Sequence, residues 1–285
     1  MASIDGVLSG LAEARIPVTD RGLLFGDHVF EVARVIDGRV VDGAAHLERL
    51  AASARLCRLP PLPSALAAWI GATVAAAAAP SGSLRVMWTR GDGVGLTLDG
   101  AARGRCVVTV EPWTPPARTA IRLATVAVDA TGRTGALVPA AAKSGSYLAS
   151  VLALAAAHAA DADDALLVDP AGRALETAAA SLAIVAGGAV WFARGASLPG
   201  VTAARVKRLL AATGVAVADA ALTVAQVQAA DEVFVTSSRR GVVAVAAVDG
   251  VARAPGPTTR RAQEIYDGWV SCGEADPISP PTFAL

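Results

Sequence analysis

An α+β chain in two parts is what this sequence predicts. Three observations carry that reading. Short β-rich runs alternate with alanine- and leucine-rich stretches that have helical spacing. Glycine-containing turns punctuate them. A proline-rich joint, "EPWTPPART" at 111–119, interrupts the chain. The expected layout is a small N-terminal α/β domain over 1–112, a linker over 113–119, a larger C-terminal domain over 120–272 and a loose tail over 273–285.

The elements follow in order. "HVFEVARVIDGRVV" holds two β-rich runs around Asp37-Gly38, a type I′ hairpin signal. "DGAAHLERLAASARLCRL" repeats apolar residues at Leu47, Leu50, Ala54 and Leu56, which predicts a helix. An alanine-rich helix follows Pro63, and "SLRVMWTRGDG" and "RCVVTVEPW" read as strands. Beyond the joint come the strand "AIRLATVAVDA", a helix after Lys143, and a hairpin "DALLVDPAGRALET" turning at Pro170 to Gly172. "SLAIVAGGAVWFA" turns at Gly187-Gly188, and the helix "TAARVKRLLAAT" stops at Gly214, a residue suited to the left-handed C′ position. The strands "DEVFVTSS" and "GVVAVAAVDG" close the pattern, and "EADPISPPTFAL" reads as the tail.

Composition excludes several classes. Hydrophobic residues make up 54% and charged ones 18%, with a mean hydropathy of +0.49, but much of the excess is alanine. The most apolar stretch, Ala65 to Ala79, is shorter than the roughly 20 residues of a spanning helix. No basic segment precedes an apolar run near the N-terminus, so no secretory leader is expected and a cytoplasmic protein is. Lys+Arg and Asp+Glu are both 25, a balance that argues against a nucleic-acid partner. Cys57, Cys106 and Cys272 are scattered, as are His28, His46 and His158, so no metal site is expected.

The use of lysine is the sharpest signal. Among 25 basic residues only Lys143 and Lys207 are lysine. Lys207 sits between arginines on the polar face of a predicted helix. Lys143 is the only fully charged side chain between Arg133 and Asp161. Arginine keeps its proton in a protein; lysine can lose one and become an amine nucleophile. The alternative is a lysine that snorkels at a helix start.

Taken together, "RGLLFGDHVFE", "HLERL", "KSGSY", "LET…SLAIV" and "LPGVTAARV", closed by "DEVFVTSS", resemble the fold-type IV pyridoxal 5'-phosphate enzymes, the class-IV aminotransferase family. That family includes D-amino acid aminotransferases, branched-chain aminotransferases and aminodeoxychorismate lyases. The resemblance runs from Asp20 to Gly250. It implies a two-domain fold with a barrel-like C-terminal domain, and a homodimer in which the partner's N-terminal loop completes each site.

The resemblance also implies roles. Lys143 is the lysine that joins the cofactor covalently and shuttles the substrate Cα proton. Glu176 pairs with the pyridine nitrogen; by itself it would read as a glutamate ending a hairpin strand. Arg49 binds the phosphate, where an exposed helix arginine is the alternative. Val201 and Thr202 offer amides at a helix N-terminus, an anion site, and Thr202 a hydroxyl as well. Ser237 and Ser238 add hydroxyls at a strand end, which can also be plain turn residues.

Departures from the family bear on the substrate. The Arg-x-His pair that grips the α-carboxylate in D-amino acid aminotransferases is replaced by Gly95-Leu96-Thr97. Candidate carboxylate ligands are Arg34, on one strand face with Phe30 and Val32, Arg21 in the preceding loop, and Arg85 or Arg90. Tyr147 stands where many bacterial lyases carry arginine, and either lines the cofactor ring or packs as a helix tyrosine. Ser181 replaces a common asparagine. "FGDHVFEVARV" reads closer to the D-amino acid aminotransferases than to the lyases. The expected activity is therefore transamination between a D-amino acid, such as D-alanine or D-glutamate, and a 2-keto acid such as 2-oxoglutarate or pyruvate. Aminodeoxychorismate lyase is the runner-up, then a branched-chain or (R)-amine transaminase. A cofactor-free scaffold on the same fold is the reading from another class.

Overall fold

The computed structural model describes residues 1–93, 95–98, 103–129 and 137–272. It divides into two compact units, Met1–Thr114 with Ala142–Ser146, and Pro115–Ala141 with Tyr147–Gly273. The division falls inside the proline-rich stretch. The return of the Lys143 segment to the first unit has no counterpart in the expected boundaries. The expected tail at 273–285 lies outside the described residues.

The first unit runs β1 (Ala2–Ile4), β2 (Val7–Ser9), α1 (Arg21–Phe25), β3 (His28–Ile36), β4 (Arg39–Val40), α2 (Gly43–Leu56), α3 (Leu66–Ala77), β5 (Ser81–Thr89) and β6 (Arg105–Pro112). Its antiparallel sheet has the order β2-β1-β6-β5-β3-β4. The β3–β4 hairpin turns at Asp37 and Gly38, both with positive φ (47° and 74°), as a type I′ turn requires. In β3 successive side chains alternate between faces. Val29, Ala33 and Val35 join a core with Leu47, Leu50 and Ala54 of α2 and Leu66, Ile70 and Val74 of α3. Of the positions whose spacing predicted α2, Leu47, Leu50 and Ala54 are buried, whereas Leu56, at the helix end, is exposed. Phe30, Val32 and Arg34 lie on the opposite face by parity, with Arg85 directly across from Val32.

The second unit runs β7 (Ile121–Ala127), α4 (Leu148–Ala159), β8 (Asp164–Val168), β9 (Arg173–Thr177), β10 (Ser181–Ala186), β11 (Ala189–Ala193), α5 (Val201–Ala212), β12 (Val217–Ala220), β13 (Leu222–Thr223), α6 (Val224–Ala229), β14 (Glu232–Ser237), β15 (Gly241–Val248), β16 (Val251–Ala252) and α7 (Pro257–Cys272). Six strands close on themselves in the order β10-β14-β15-β7-β8-β9, and the seam is the single pair Ser181–Glu176. This is the barrel that the resemblance implied. Side chains that alternate inward fill it, among them Ile121, Leu123, Leu166, Leu182, Ile184, Val233, Val235, Val243 and Val245. The helix α7 went unread in the sequence. Its buried residues Ala262, Tyr266 and Val270 recur every fourth position, but "TTRRAQE" and a preceding proline-glycine run mask the pattern. Glu232 accepts the amides of Thr258 (3.0 Å) and Thr259 (2.6 Å) at its start, where a carboxylate complements the helix dipole. Among the described residues no helix is long and apolar enough to cross a membrane, and no His/Cys/Asp/Glu group could hold a metal ion.

Candidate active site

Lys143 belongs to the first unit, on a short segment laid against β3. Ser144 forms an antiparallel bridge with Val29. Phe30 donates its amide to the Lys143 carbonyl (3.0 Å), and Gly145 donates to that of His28 (2.8 Å). The Lys143 amide itself donates to Ser53 Oγ on α2 (3.0 Å). These bonds fix the backbone and leave the side chain to reach out. Its Nζ lies 4.6 Å from the centroid of the Phe30 ring, and Arg85 Cζ lies 4.7 Å from the same centroid. Cations are attracted to the electron-rich face of an aromatic ring, so Phe30 gathers two of them. Arg34 Cζ lies 5.9 Å from Trp113, and its Nε is buried with no hydrogen-bond partner among the described residues.

Below this face Arg49 meets Glu31. The guanidinium donates from Nε to Oε1 (2.8 Å) and from Nη2 to Oε2 (2.7 Å), a two-point charge-assisted pair. His46 Nδ1 stands 2.7 Å from Oε2. Burial by itself would raise the Glu31 carboxyl, but Arg49 and then His46 more than offset it and hold the group at about 2. Arg49 is thus a half-buried, paired arginine, not the exposed helix residue of the alternative reading.

That pair has a pH consequence. Glu31 titrates near 4.5 when unfolded and at about 2 when folded, so its stabilisation is complete above pH 4.5 and is lost as pH falls toward 2. The difference is worth about 3 kcal/mol. Glu31→Gln is expected to lose roughly 3–5 kcal/mol at neutral pH, the cost of removing one partner of a buried ion pair. Denaturant titrations should show its stability flatter than the wild type's between pH 4.5 and 2.

The other arginines proposed from the sequence are committed elsewhere. Asp27 accepts from Arg21 Nε (3.0 Å) and Arg90 Nε (2.7 Å). Arg90 also donates to the carbonyls of Arg58 (2.6 Å) and Cys57 (3.1 Å), and Arg21 to that of Gly95 (2.5 Å). Both are buried, and these bonds brace the loops around α1 and the end of β5.

In the second unit, Glu176 sits at the barrel seam, 5% exposed. The Leu198 amide is shared between its two oxygens at 3.3 Å each. Two residues on, Gly200 caps α5, where a Cβ would meet Ser181 Oγ. Val201 and Thr202 open the helix, where amide groups lack intrahelical acceptors. Thr202 Oγ1 and Ser238 Oγ are 3.5 Å apart, and the buried Thr236 Oγ1 has no partner among the described residues. Ser237 Oγ accepts the Arg240 amide at 3.4 Å. A helix N-terminus, converging hydroxyls and an orphaned hydroxyl are donors arranged for an anion, which fits a phosphate. Tyr147, the residue preceding α4, is half-buried.

The residues missed from the sequence are Glu31, Ser53, His28 and Gly145. Glu31 carried a readable signal: alternation puts it on the core face with Val29, Ala33 and Val35, where a carboxylate demands a partner. Gly145 did not, because the His28 ring that covers it is remote in sequence.

The closed mixed barrel of the second unit and the α/β architecture of the first are those of the fold-type IV aminotransferases. The chain belongs to the amino-transferase class IV family, whose model matches residues 28–248, and such enzymes use pyridoxal 5'-phosphate (PLP). A Methanocaldococcus jannaschii protein named as a putative branched-chain-amino-acid aminotransferase is 33% identical over 245 residues, 84% of each chain. The D-alanine aminotransferase of Listeria innocua is 26% identical over 277 residues, 93% of this chain and 94% of that one. A hypothetical aminotransferase from Mycobacterium tuberculosis, solved in its PLP-bound form, superposes with a TM-score of 0.82 at 26% identity, covering 95% of this chain and 99% of that one.

Proposed function

We propose that this aminotransferase moves an amino group between a D-amino acid, such as D-alanine or D-glutamate, and a 2-keto acid. The observation that carries the substrate class is the pairing of Lys143 with Arg85 on one aromatic ring, Phe30. An amine beside a guanidinium suits a molecule whose amino and carboxylate groups share one carbon. The preference for the D series rests on "FGDHVFEV" and on the Listeria relatives. A branched-chain substrate is the second reading, favoured by the Methanocaldococcus relative.

When bound, pyridoxal 5'-phosphate supplies an aldehyde carbon that captures amines and a ring that takes up electrons as the Cα–H bond breaks. The chain's residues do the rest. Lys143 Nζ removes the Cα proton and returns it. Glu176 keeps a proton on the ring nitrogen. Arg49, the amides of Val201 and Thr202, and the hydroxyls of Thr202, Ser237 and Ser238 hold the phosphate. Arg85 takes the substrate carboxylate, with Arg34 next to it on the sheet face; Phe30 and Tyr147 form walls. We assign Arg21 and Arg90 to bracing through Asp27. A homodimer is part of the proposal, supported by exposed Leu23, Leu24 and Phe25 on α1.

The test is stereochemical. D-alanine, D-glutamate, L-leucine and L-valine are each mixed with the loaded enzyme, and conversion of the cofactor to its amine form is followed by absorbance. Conversion by the D series alone supports the proposal; conversion by L-leucine and L-valine alone replaces it with the second reading. Pyruvate release from aminodeoxychorismate without cofactor conversion would make the protein a lyase. Arg85→Met is expected to raise KM for the amino acid about 10- to 100-fold, the worth of a hydrogen bond to a charged group. An unchanged KM would move the carboxylate to Arg34.

A further inference from the structure

We propose that Ser53 is a positioning residue for Lys143, acting through the backbone amide of the lysine; this rests on Lys143 being the cofactor lysine. Ser53 is completely buried on α2, on the side that otherwise presents Leu47, Leu50 and Ala54 to the core. Its neighbours in "LAASARL" are alanines. Alanine is the better helix former and needs no hydrogen bond when buried, so a hydroxyl here carries a cost unless it has a use. A serine inside a helix ordinarily turns its hydroxyl back to the preceding turn. Here Oγ accepts the Lys143 amide, a group ninety residues away in sequence, at 3.0 Å.

The effect is a clamp on one peptide. The amide of Lys143 is held by α2 through Ser53, and its carbonyl by β3 through Phe30. With both ends of the residue fixed to different elements, Cα cannot shift, and only side-chain torsions decide where Nζ goes. A reacting amine gains from this because misplacement of about 1 Å costs about 100-fold in rate. Ser53 lies one helical turn after Arg49, on the same face of α2. The helix that carries the proposed phosphate arginine thus also sets the lysine backbone. Ser53 touches neither cofactor nor substrate; it acts through Lys143.

The experiment uses the full chain stripped of cofactor, as wild type, Ser53→Ala and Ser53→Cys. Pyridoxal, which lacks the phosphate and so bypasses Arg49 and α5, is added and trapped with borohydride. Attachment at Lys143 is then measured against Lys207 by mass spectrometry. Hydrogen exchange of the Lys143 and Phe30 amides is followed in the same samples. Ser53→Ala is expected to slow capture at Lys143 about tenfold, leave Lys207 unchanged, and speed exchange at Lys143 without speeding it at Phe30. Ser53→Cys, close in size and still a weak acceptor, is expected to restore part of the capture rate. Capture at the wild-type rate, or exchange that rises equally at both amides, overturns the proposal. Wild-type protein that binds pyridoxal and pyridoxal 5'-phosphate nowhere near Lys143 overturns the reading of Lys143 as well, so the two failures are distinct.

Discussion

Lys143→Arg is expected to lower transamination by more than about 1,000-fold while leaving the fold and its melting temperature unchanged. The charge is kept, so any loss isolates the removable proton and the nucleophilic lone pair that a guanidinium lacks. The segment is held by main-chain bonds to β3 and by Ser53, none of which the longer side chain disturbs. Arginine can still stack on Phe30, which makes the variant a fair structural control. Two measurements decide it. After borohydride reduction, wild-type protein should carry the cofactor on the peptide containing Lys143, and the variant should carry none. The variant's far-ultraviolet circular dichroism should match the wild type's. Cofactor recovered on Lys207 in the wild type would reassign the role, although Lys207 is already engaged with Asp219 and stacked on Phe192.

How much could be read beforehand depends on whether a feature is local. The hairpin at Asp37-Gly38 was legible because two consecutive left-handed residues leave few choices, and the glycine signals it. The helix α2 was legible from its spacing. Lys143 stood out because the chain writes nearly every other positive charge as arginine. What stayed hidden is what the chain builds at a distance. Nothing in "AAAKSGSY" says that residues 142–146 will bridge β3, because a single bridge has no periodicity. Arg21 and Arg90 were read as candidates for a substrate carboxylate; that both also pair with Asp27, in a loop, was not readable, because sequence gives no reason for two arginines to share it. The opposite holds for Arg34 and Arg85, whose placement on one face follows from strand parity once the β3–β5 register is known.

Gly145→Ala is expected to be the most damaging single-methyl change in the lysine segment. A Cβ on Gly145 would overlap three atoms of the His28 ring, far inside van der Waals contact. The ring cannot easily retreat, because His28 opens β3, its carbonyl accepts the Gly145 amide, and Nδ1 is already buried. The segment must therefore lift, stretching the bonds that register Lys143 against Phe30 and Ser53. Overpacking of this kind costs about 1–3 kcal/mol in stability. The activity loss should exceed that, at roughly 100-fold or more, because the displaced group is the reacting amine. No unusual φ is involved at this glycine, so space alone is at issue, and space can be returned. His28→Ala combined with Gly145→Ala should recover most of the lost rate, with a double-mutant coupling of at least about 1 kcal/mol. If the double variant is as slow as Gly145→Ala alone, the clash with His28 is not the cause, and the glycine serves the backbone torsions of the segment instead.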